Sequence, residues 1–521
     1  MTNPRQFFEK VSLSLADLVG NDYVESVCEA RAFLGGEDLQ DLRSLATQPV
    51  DFLPQGFQDR IVGLLPKVGE RVCGSKLKDL ARGATTKDFV KASKHEFAPL
   101  SAYGLYRIGE SGRLHLITKS EHYHAPVGHS FPGYQLVERA KRLGIPNATH
   151  NNTRGHITRL LEERLVCEAN GLEPGDSNGL QRVLDSSCPN TVNRVLNLET
   201  GSLAAEAALK MMLARFYRPQ EDSDAPRYEG RVPVFLVVGN DDGGLHANYH
   251  GTTTLTQMMR GMWPELTSKL DQAGLIRFCA IRPNRIEDLQ AAFQQSDIGE
   301  NKIAGFFHEI VMMNYGARRL TREFLHRAYE LCREHDVPTM VDEIQSCMWA
   351  PGFFMYREYE LEPSFVALGK GFPGGEYPAS RILFSSEYDN LPQFGALVTN
   401  GQEELASLAY LITMAWAKAN TEVTRGIGDY YQERLREFAA KHPDRIAGID
   451  GVRHMSSLCF RDLVSAKTFV KQLVQKGLDI SVQTYKADCP PVVLTKLPLV
   501  TPVAVVDFVL ERMNEAMKEI G

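Results

Sequence analysis

The chain has 521 residues, room for about three to five ordinary domains or fewer large ones. Apolar residues make up 43% and charged residues 24%, which excludes a disordered chain, a collagen and a coiled-coil rod. With 58 Lys plus Arg against 65 Asp plus Glu the formal charge is −7, a poor basis for a nucleic-acid or anionic-membrane partner.

No apolar run reaches the ~18 residues of a transmembrane helix, so no membrane span is expected. Residues 1–17 mix acids with apolar residues and lack the continuous apolar stretch of a signal peptide. The nine cysteines are scattered, odd in number and form no C-x-x-C pair. No disulfide framework and no metal site are expected, and a cytoplasmic location is.

In chain order, residues 1 to 95 read as short helices such as 4–18 and 56–65, broken by turns such as Gly35-Gly36-Glu37-Asp38. They form a helical extension that packs on the rest or on a partner subunit. From 96 to 195 the pattern is mixed. Runs 105–108 and 114–118 alternate around a Glu-Ser-Gly turn and predict a hairpin. Residues 155–172 place Ile157, Leu160, Leu161, Leu165 and Val166 on one helical face.

From 196 to 400, β-rich runs at Val232–Val238, 276–281, 304–307, 339–341, Phe365–Leu368 and Ser380–Phe384 alternate with helical runs that include 203–217, 286–294 and 322–335. This alternation predicts an α/β fold with a mainly parallel central sheet and helices on both faces. Ligands of such sheets sit at the carboxyl ends of the strands. Residues 401–521 read as α+β, with helices at 402–419, 427–441, 466–476 and 502–520 and a β-like stretch at 479–483.

Chemistry concentrates at strand ends. Pro338-Thr339-Met340-Val341-Asp342-Glu343-Ile344-Gln345 is an apolar strand ending in two acids and an amide. A carboxylate in a cleft is costly unless a cation or a hydrogen-bond donor meets it. The strand of Phe365–Leu368 then delivers Lys370 into a glycine-rich turn, accessible and partly desolvated, which favours a nucleophilic amine. Either feature alone reads as a loop lysine or a helix cap; two at strand ends of one sheet read as a site. Glu199-Thr200-Gly201-Ser202 opens a helix and offers free N–H groups and two hydroxyls to a phosphate. Tyr249 and His250, before Gly251, could stack on a ring. A lysine for a Schiff base, an acid for a pyridinium nitrogen, a phosphate cup and a stacking aromatic are the parts that operate pyridoxal 5'-phosphate.

Over roughly residues 100 to 521 the chain resembles the class III aminotransferase family of fold type I pyridoxal-phosphate enzymes. The matching segments fall in the family's order: 127–132, 200–210, Tyr249-His250-Gly251, Glu309, 342–345, the Lys370 turn and Thr399-Asn400-Gly401. The resemblance does not cover the helical extension at 1–95; beyond it, it implies the first part of a small domain at 96–195, a cofactor-binding domain at 196–400, and an interdomain helix with the rest of the small domain at 401–521. It implies that Lys370 carries the Schiff base and shuttles the proton, and that Asp342 holds the ring nitrogen protonated. Gln345 would contact the ring hydroxyl and Tyr249 stack on the ring. Thr200, Gly201, Ser202, His250 and Glu309 would complete the cofactor site. Thr399 would reach the phosphate of the other subunit, which implies a homodimer with shared active sites.

The resemblance has gaps. Leu203 stands where relatives carry an acid, Ile310 follows Glu309 in place of Pro, and Asn314 occupies a position that commonly holds a Glu. That Glu ordinarily pairs with a carboxylate-binding Arg, yet 480–488 contains no Arg and Lys486 is the nearest cation. Arg154 is an alternative carboxylate clamp, and Tyr123 and His124 are candidates for the substrate pocket. The expected activity is transfer of an amino group from an amino acid or ω-amine to an oxo acid. The alternative is a racemase, epimerase, aminomutase or lyase that needs no oxo acid. A third reading is a non-catalytic homologue whose extension binds a partner.

Overall fold

A computed structural model of the chain describes residues 7–74, 83–119, 125–147, 150–173, 175–398, 400–483 and 490–520. A seven-stranded sheet organises the molecule. Its strands are β1 (Arg194–Leu198), β2 (Val232–Val238), β3 (Arg277–Ile281), β4 (Asn301–His308), β5 (Thr339–Asp342), β6 (Phe365–Leu368) and β7 (Ser380–Phe384). The spatial order is β1-β7-β6-β5-β4-β2-β3. Strands β3, β2, β4, β5 and β6 run parallel, and β7 is antiparallel to both of its neighbours.

The continuous apolar runs of these strands follow from burial on both faces. Val234, Leu236 and Val238 join one hydrophobic cluster, and Phe235 and Val237 join another, as a two-residue period requires. Helix Gly201–Leu213 covers the second face with Ala204, Ala205, Ala208 and Met212. Helices Ile286–Ser296 and Arg322–Glu334 belong to the first face's cluster through Leu289, Phe293, Phe324 and Leu325.

Six of the strands match the predicted runs to within a few residues. The seventh, β1, was not anticipated. Its five residues contain Arg194 and Asn197, and their polarity hides the short pattern. The predicted helix at 4–18 is corrected. Ser12–Leu13 is extended and pairs with Val50–Asp51, and the helix begins only at Leu15. Ser14 and Asp17 form a reciprocal capping box there, which sets the start of the helix.

The extension packs on the body of the protein. Phe8 meets Trp416 at 5.6 Å between ring centroids, Tyr23 stacks on His156, and Tyr106 donates to the Ile61 carbonyl at 2.5 Å. The predicted hairpin is present as Tyr106–Gly109 and Leu114–Ile117. Leu478–Asp479 adds to it in parallel, so residues from both ends of the chain share one sheet. A second four-stranded antiparallel sheet joins Ile446–Val452, Met455–Phe460, Val492–Leu494 and Ser481–Val482. Among the described residues no helix is long and apolar enough to cross a membrane.

One buried carboxylate ties two helices together. Helix His156–Ala169 starts at Gly155, which brings no capping side chain. Glu404, 3% exposed, takes its place: its two oxygens accept from the N–H groups of Ile157 at 2.8 Å and Thr158 at 3.2 Å. Gly155 is required, because a Cβ there would lie 2.4 Å from this carboxylate. Glu404→Ala strands buried donors and is expected to cost about 1–3 kcal/mol. A lower urea midpoint with an unchanged slope checks it.

Candidate active site

Three chain segments converge where the parallel strands end. β5 ends in Asp342, the turn after β6 carries Lys370, and the helix of Gly201–Leu213 begins beside them. They enclose a cavity of about 540 Å³. Thr200, Gly201, Ser202, Tyr249, His250, Glu309, Asn314, Asp342, Gln345 and Lys370 line it, joined by Glu199, Ile344 and Tyr377. Residues far apart in sequence are thus brought together as expected.

Asp342 is 5% exposed and needs compensation. Its Oδ2 lies 2.9 Å from Nδ1 of the equally buried His250, and its Oδ1 accepts from the Ile344 N–H at 3.0 Å. The carboxylate is therefore held from two sides. Lys370 lies between Gly369 and Gly371 with φ +50°, a left-handed conformation costly for a residue with a Cβ. Such a conformation persists where the surroundings impose it, and here it brings the lysine to the cavity.

The start of the helix of Gly201–Leu213 opens on the cavity. Thr200 is the N-cap residue; its carbonyl accepts from the Leu203 N–H at 3.0 Å, but its side chain caps none of the first N–H groups. The Thr252 N–H donates to Ser202 Oγ at 3.1 Å, and the two hydroxyls lie 3.1 Å apart. A Cβ on Gly201 would lie 2.3 Å from Ile344 Cδ1, so glycine lets Ile344 pack against the helix start without shifting. Tyr249 carries the Arg260 guanidinium 4.5 Å from its ring centroid, which fixes one side of the ring by a cation–π contact.

Not every expectation reaches the cavity. Arg154 is not among the lining residues: its half-exposed guanidinium lies 3.6 Å from the carboxylate of Glu162, within the helix that follows. The structure does not bring it to the cavity as a carboxylate clamp. Tyr123, His124, Thr399 and Lys486 lie outside the described residues. Where an Arg was expected to face the position of Asn314, the described chain brings Gln483. Its Nε2 donates to the Met313 carbonyl and its Oε1 accepts from the Gly316 N–H, both at 2.5 Å. Ser457 Oγ donates to the Gly316 carbonyl at 2.7 Å. A neutral amide thus fastens the Asn314 turn to the C-terminal sheet. No periodicity or motif marks Gln483; only long-range contact reveals it.

Lys370, the Asp342–His250 pair, Tyr249 and the helix start at Gly201 and Ser202, all on one cavity of about 540 Å³, fit pyridoxal phosphate in both chemistry and order. The arrangement is that of a pyridoxal-phosphate-dependent α/β enzyme. Comparison with known proteins agrees. The model of the aminotransferase class-III family matches residues 157–517. Acetylornithine aminotransferase of Aquifex aeolicus is 26% identical over 219 residues, covering 41% of this chain and 54% of that protein. Ornithine aminotransferase of Schizosaccharomyces pombe is 34% identical over 310 residues, 56% of this chain and 61% of that one. The chain therefore spans little more than half the length of these curated relatives. Adenosylmethionine-8-amino-7-oxononanoate aminotransferase from Methanocaldococcus jannaschii superposes with a TM-score of 0.64 at 19% identity, covering 84% of this chain and 97% of that one. The chain belongs to the class III aminotransferase family, whose members depend on pyridoxal phosphate.

Behind Asp342 lies a second acid. Glu343 is fully buried, and desolvation pushes its carboxyl up to about 7, against hydrogen bonds from Ser346 Oγ and the Tyr356 N–H, both at 2.7 Å. Below about pH 4.5 the folded and unfolded chains both carry its proton. Between there and pH 7 only the folded chain keeps it, so stability falls as pH rises, by about 3 kcal/mol in all. Glu343→Gln is expected to remove this slope. Urea unfolding of wild type and variant across pH 4.5–8 checks it, the variant gaining relative to wild type as pH rises.

Proposed function

We propose that this aminotransferase moves an amino group from an amino acid or ω-amine to an oxo acid, using pyridoxal phosphate held in the cavity by the residues above. The convergence of Lys370, the Asp342–His250 pair and the open helix end in one cavity carries this reading. The cofactor, when bound, supplies an electron sink for the bonds at the substrate's amine-bearing carbon.

The protein's own residues do the rest. Lys370 would hold the cofactor through its amine and, once released, would serve as the base that takes and returns the proton of the substrate's amine-bearing carbon. Asp342 keeps the ring nitrogen protonated, and His250 keeps Asp342 oriented. Tyr249 bounds one side of the ring. Gly201 and Ser202, with their backbone N–H groups at the helix start, take the phosphate, and Thr399 of a second copy completes the cup in a homodimer. The described cysteines are all free, which supports a reducing, cytoplasmic setting.

One observation supports a second reading. The neutral Gln483 clamp on the Asn314 turn provides no bidentate cation for a dicarboxylate co-substrate. A racemase, aminomutase or lyase would need none. The test is to mix the holoenzyme with amino acids and diamines without oxo acid and follow the cofactor's visible band. Stoichiometric bleaching that an oxo acid reverses is the expected result. A persistent band with solvent deuterium entering the substrate carbon would move the assignment to the second reading. Lys370→Ala is expected to slow turnover by about 10²–10⁴-fold while the fold is retained, as steady-state rates and circular dichroism together would show.

A further inference from the structure

A buried lysine outside the cavity touches the residue that most needs orienting. Lys496, 1% exposed, follows the strand of Val492–Leu494 in the C-terminal segment. Its backbone N–H donates to the Thr118 carbonyl at 2.8 Å, so its position is fixed by the hairpin that the N-terminal part contributes. Its ammonium reaches into the loop after β5. There it donates to the Gln345 carbonyl at 2.7 Å and to Gln345 Oε1 at 3.1 Å, and it lies 4.0 Å from the Trp349 ring centroid. The Trp349 indole N–H in turn donates to the Leu497 carbonyl at 3.2 Å.

A buried ammonium is tolerated only where oxygens and a π-face replace its water. Here those replacements include both oxygens of one glutamine. A lysine has donors and no acceptor, whereas a glutamine amide has an oxygen at one end and an NH2 at the other. The lysine can therefore accept only one orientation of the amide, with Oε1 toward itself. Gln345 lines the cavity, three residues after Asp342, and the NH2 is the end left for a ligand.

We propose that Lys496 is a positioning residue: by holding Gln345 Oε1 it presents the Gln345 NH2 as a hydrogen-bond donor to an acceptor oxygen on the ring of the bound cofactor. The cation also polarises the amide, which strengthens the donor at its far end. The proposal rests on the reading that the cavity holds pyridoxal phosphate. Without the ammonium, the amide is free to turn and set its own oxygen against the ligand's.

The test is uptake of pyridoxal phosphate by cofactor-free protein, titrated by fluorescence, together with the pH midpoint of the bound cofactor's visible band. Lys496→Met and Gln345→Ala are each expected to weaken uptake by about tenfold and to move the midpoint in the same direction. The double variant is expected to be no weaker than Gln345→Ala alone, because the lysine acts through the amide. Additive losses, or a midpoint that only Gln345→Ala moves, would overturn the role. Should Lys496→Met fail to fold, Gln345→Glu keeps an oxygen opposite Lys496 and removes the NH2. It is expected to lose uptake as Gln345→Ala does, and wild-type uptake by it would overturn the proposal. A wild-type chain that took up no cofactor would instead sink the functional reading on which the proposal rests.

Discussion

A carboxylate held out of water at the end of a buried strand sets the terms for the rest of this molecule. Asp342 sits where β5 leaves the sheet, with the apolar residues of two clusters around it. An isolated charge there would shed its ionisation rather than bear the desolvation. The chain meets that cost with His250 from one loop and the Ile344 N–H from its own. Both partners are placed by the parallel sheet, which aligns β4, β5 and β6 so that their carboxyl ends open on one edge. The strained backbone at Lys370 and the uncapped start at Gly201 share that edge, and each is a local cost that a bound anion and ring would offset.

The smaller sheets serve this edge from a distance. Gln483 grips the Asn314 turn through two backbone groups, and Lys496 grips the Gln345 loop through a carbonyl and an amide. Both come from the C-terminal segment, whose strand Leu478–Asp479 is itself held against the hairpin formed by residues 106–117. The C-terminal segment therefore touches the surroundings of the cavity at two points. The clamp on the Asn314 turn is neutral. Gln483 holds the turn without a charge of its own.

The N-terminal extension belongs to the same packing. Phe8, Val11, Leu15, Phe52, Phe57 and Ile61 join the cluster that also holds Trp416 and the first face of the large sheet. Its short helices have modest apolar faces, and burial against residues far along the chain stabilises them more than local propensity can.

Much of this was legible in the residues themselves. Apolar runs such as Val232–Val238 and Phe365–Leu368 are long enough and regular enough to declare strands, and Lys370 and Asp342 stand at their ends as polar residues that an apolar context makes conspicuous. The order of motifs declares the family without any coordinates. The misses share one cause. β1 carries Arg194 and Asn197, the latter bonded to Glu162 and Gln402 in other segments, and the extended Ser12–Leu13 exists only because Val50–Asp51 pairs with it. Arg154 looked available because its contact with Glu162, within the helix that follows, exists only once the intervening turn and helix have formed. Gln483 and Lys496 are unremarkable in sequence, yet each closes a contact spanning more than a hundred residues. Local order by itself determined the strands, the turns and the chemical inventory, because those depend on side-chain period and on the residue types present. Which amide faces which carbonyl, and which cation is drawn inward, was decided only by the tertiary structure, since hydrogen bonds between distant segments depend on distance in space and not on spacing along the chain.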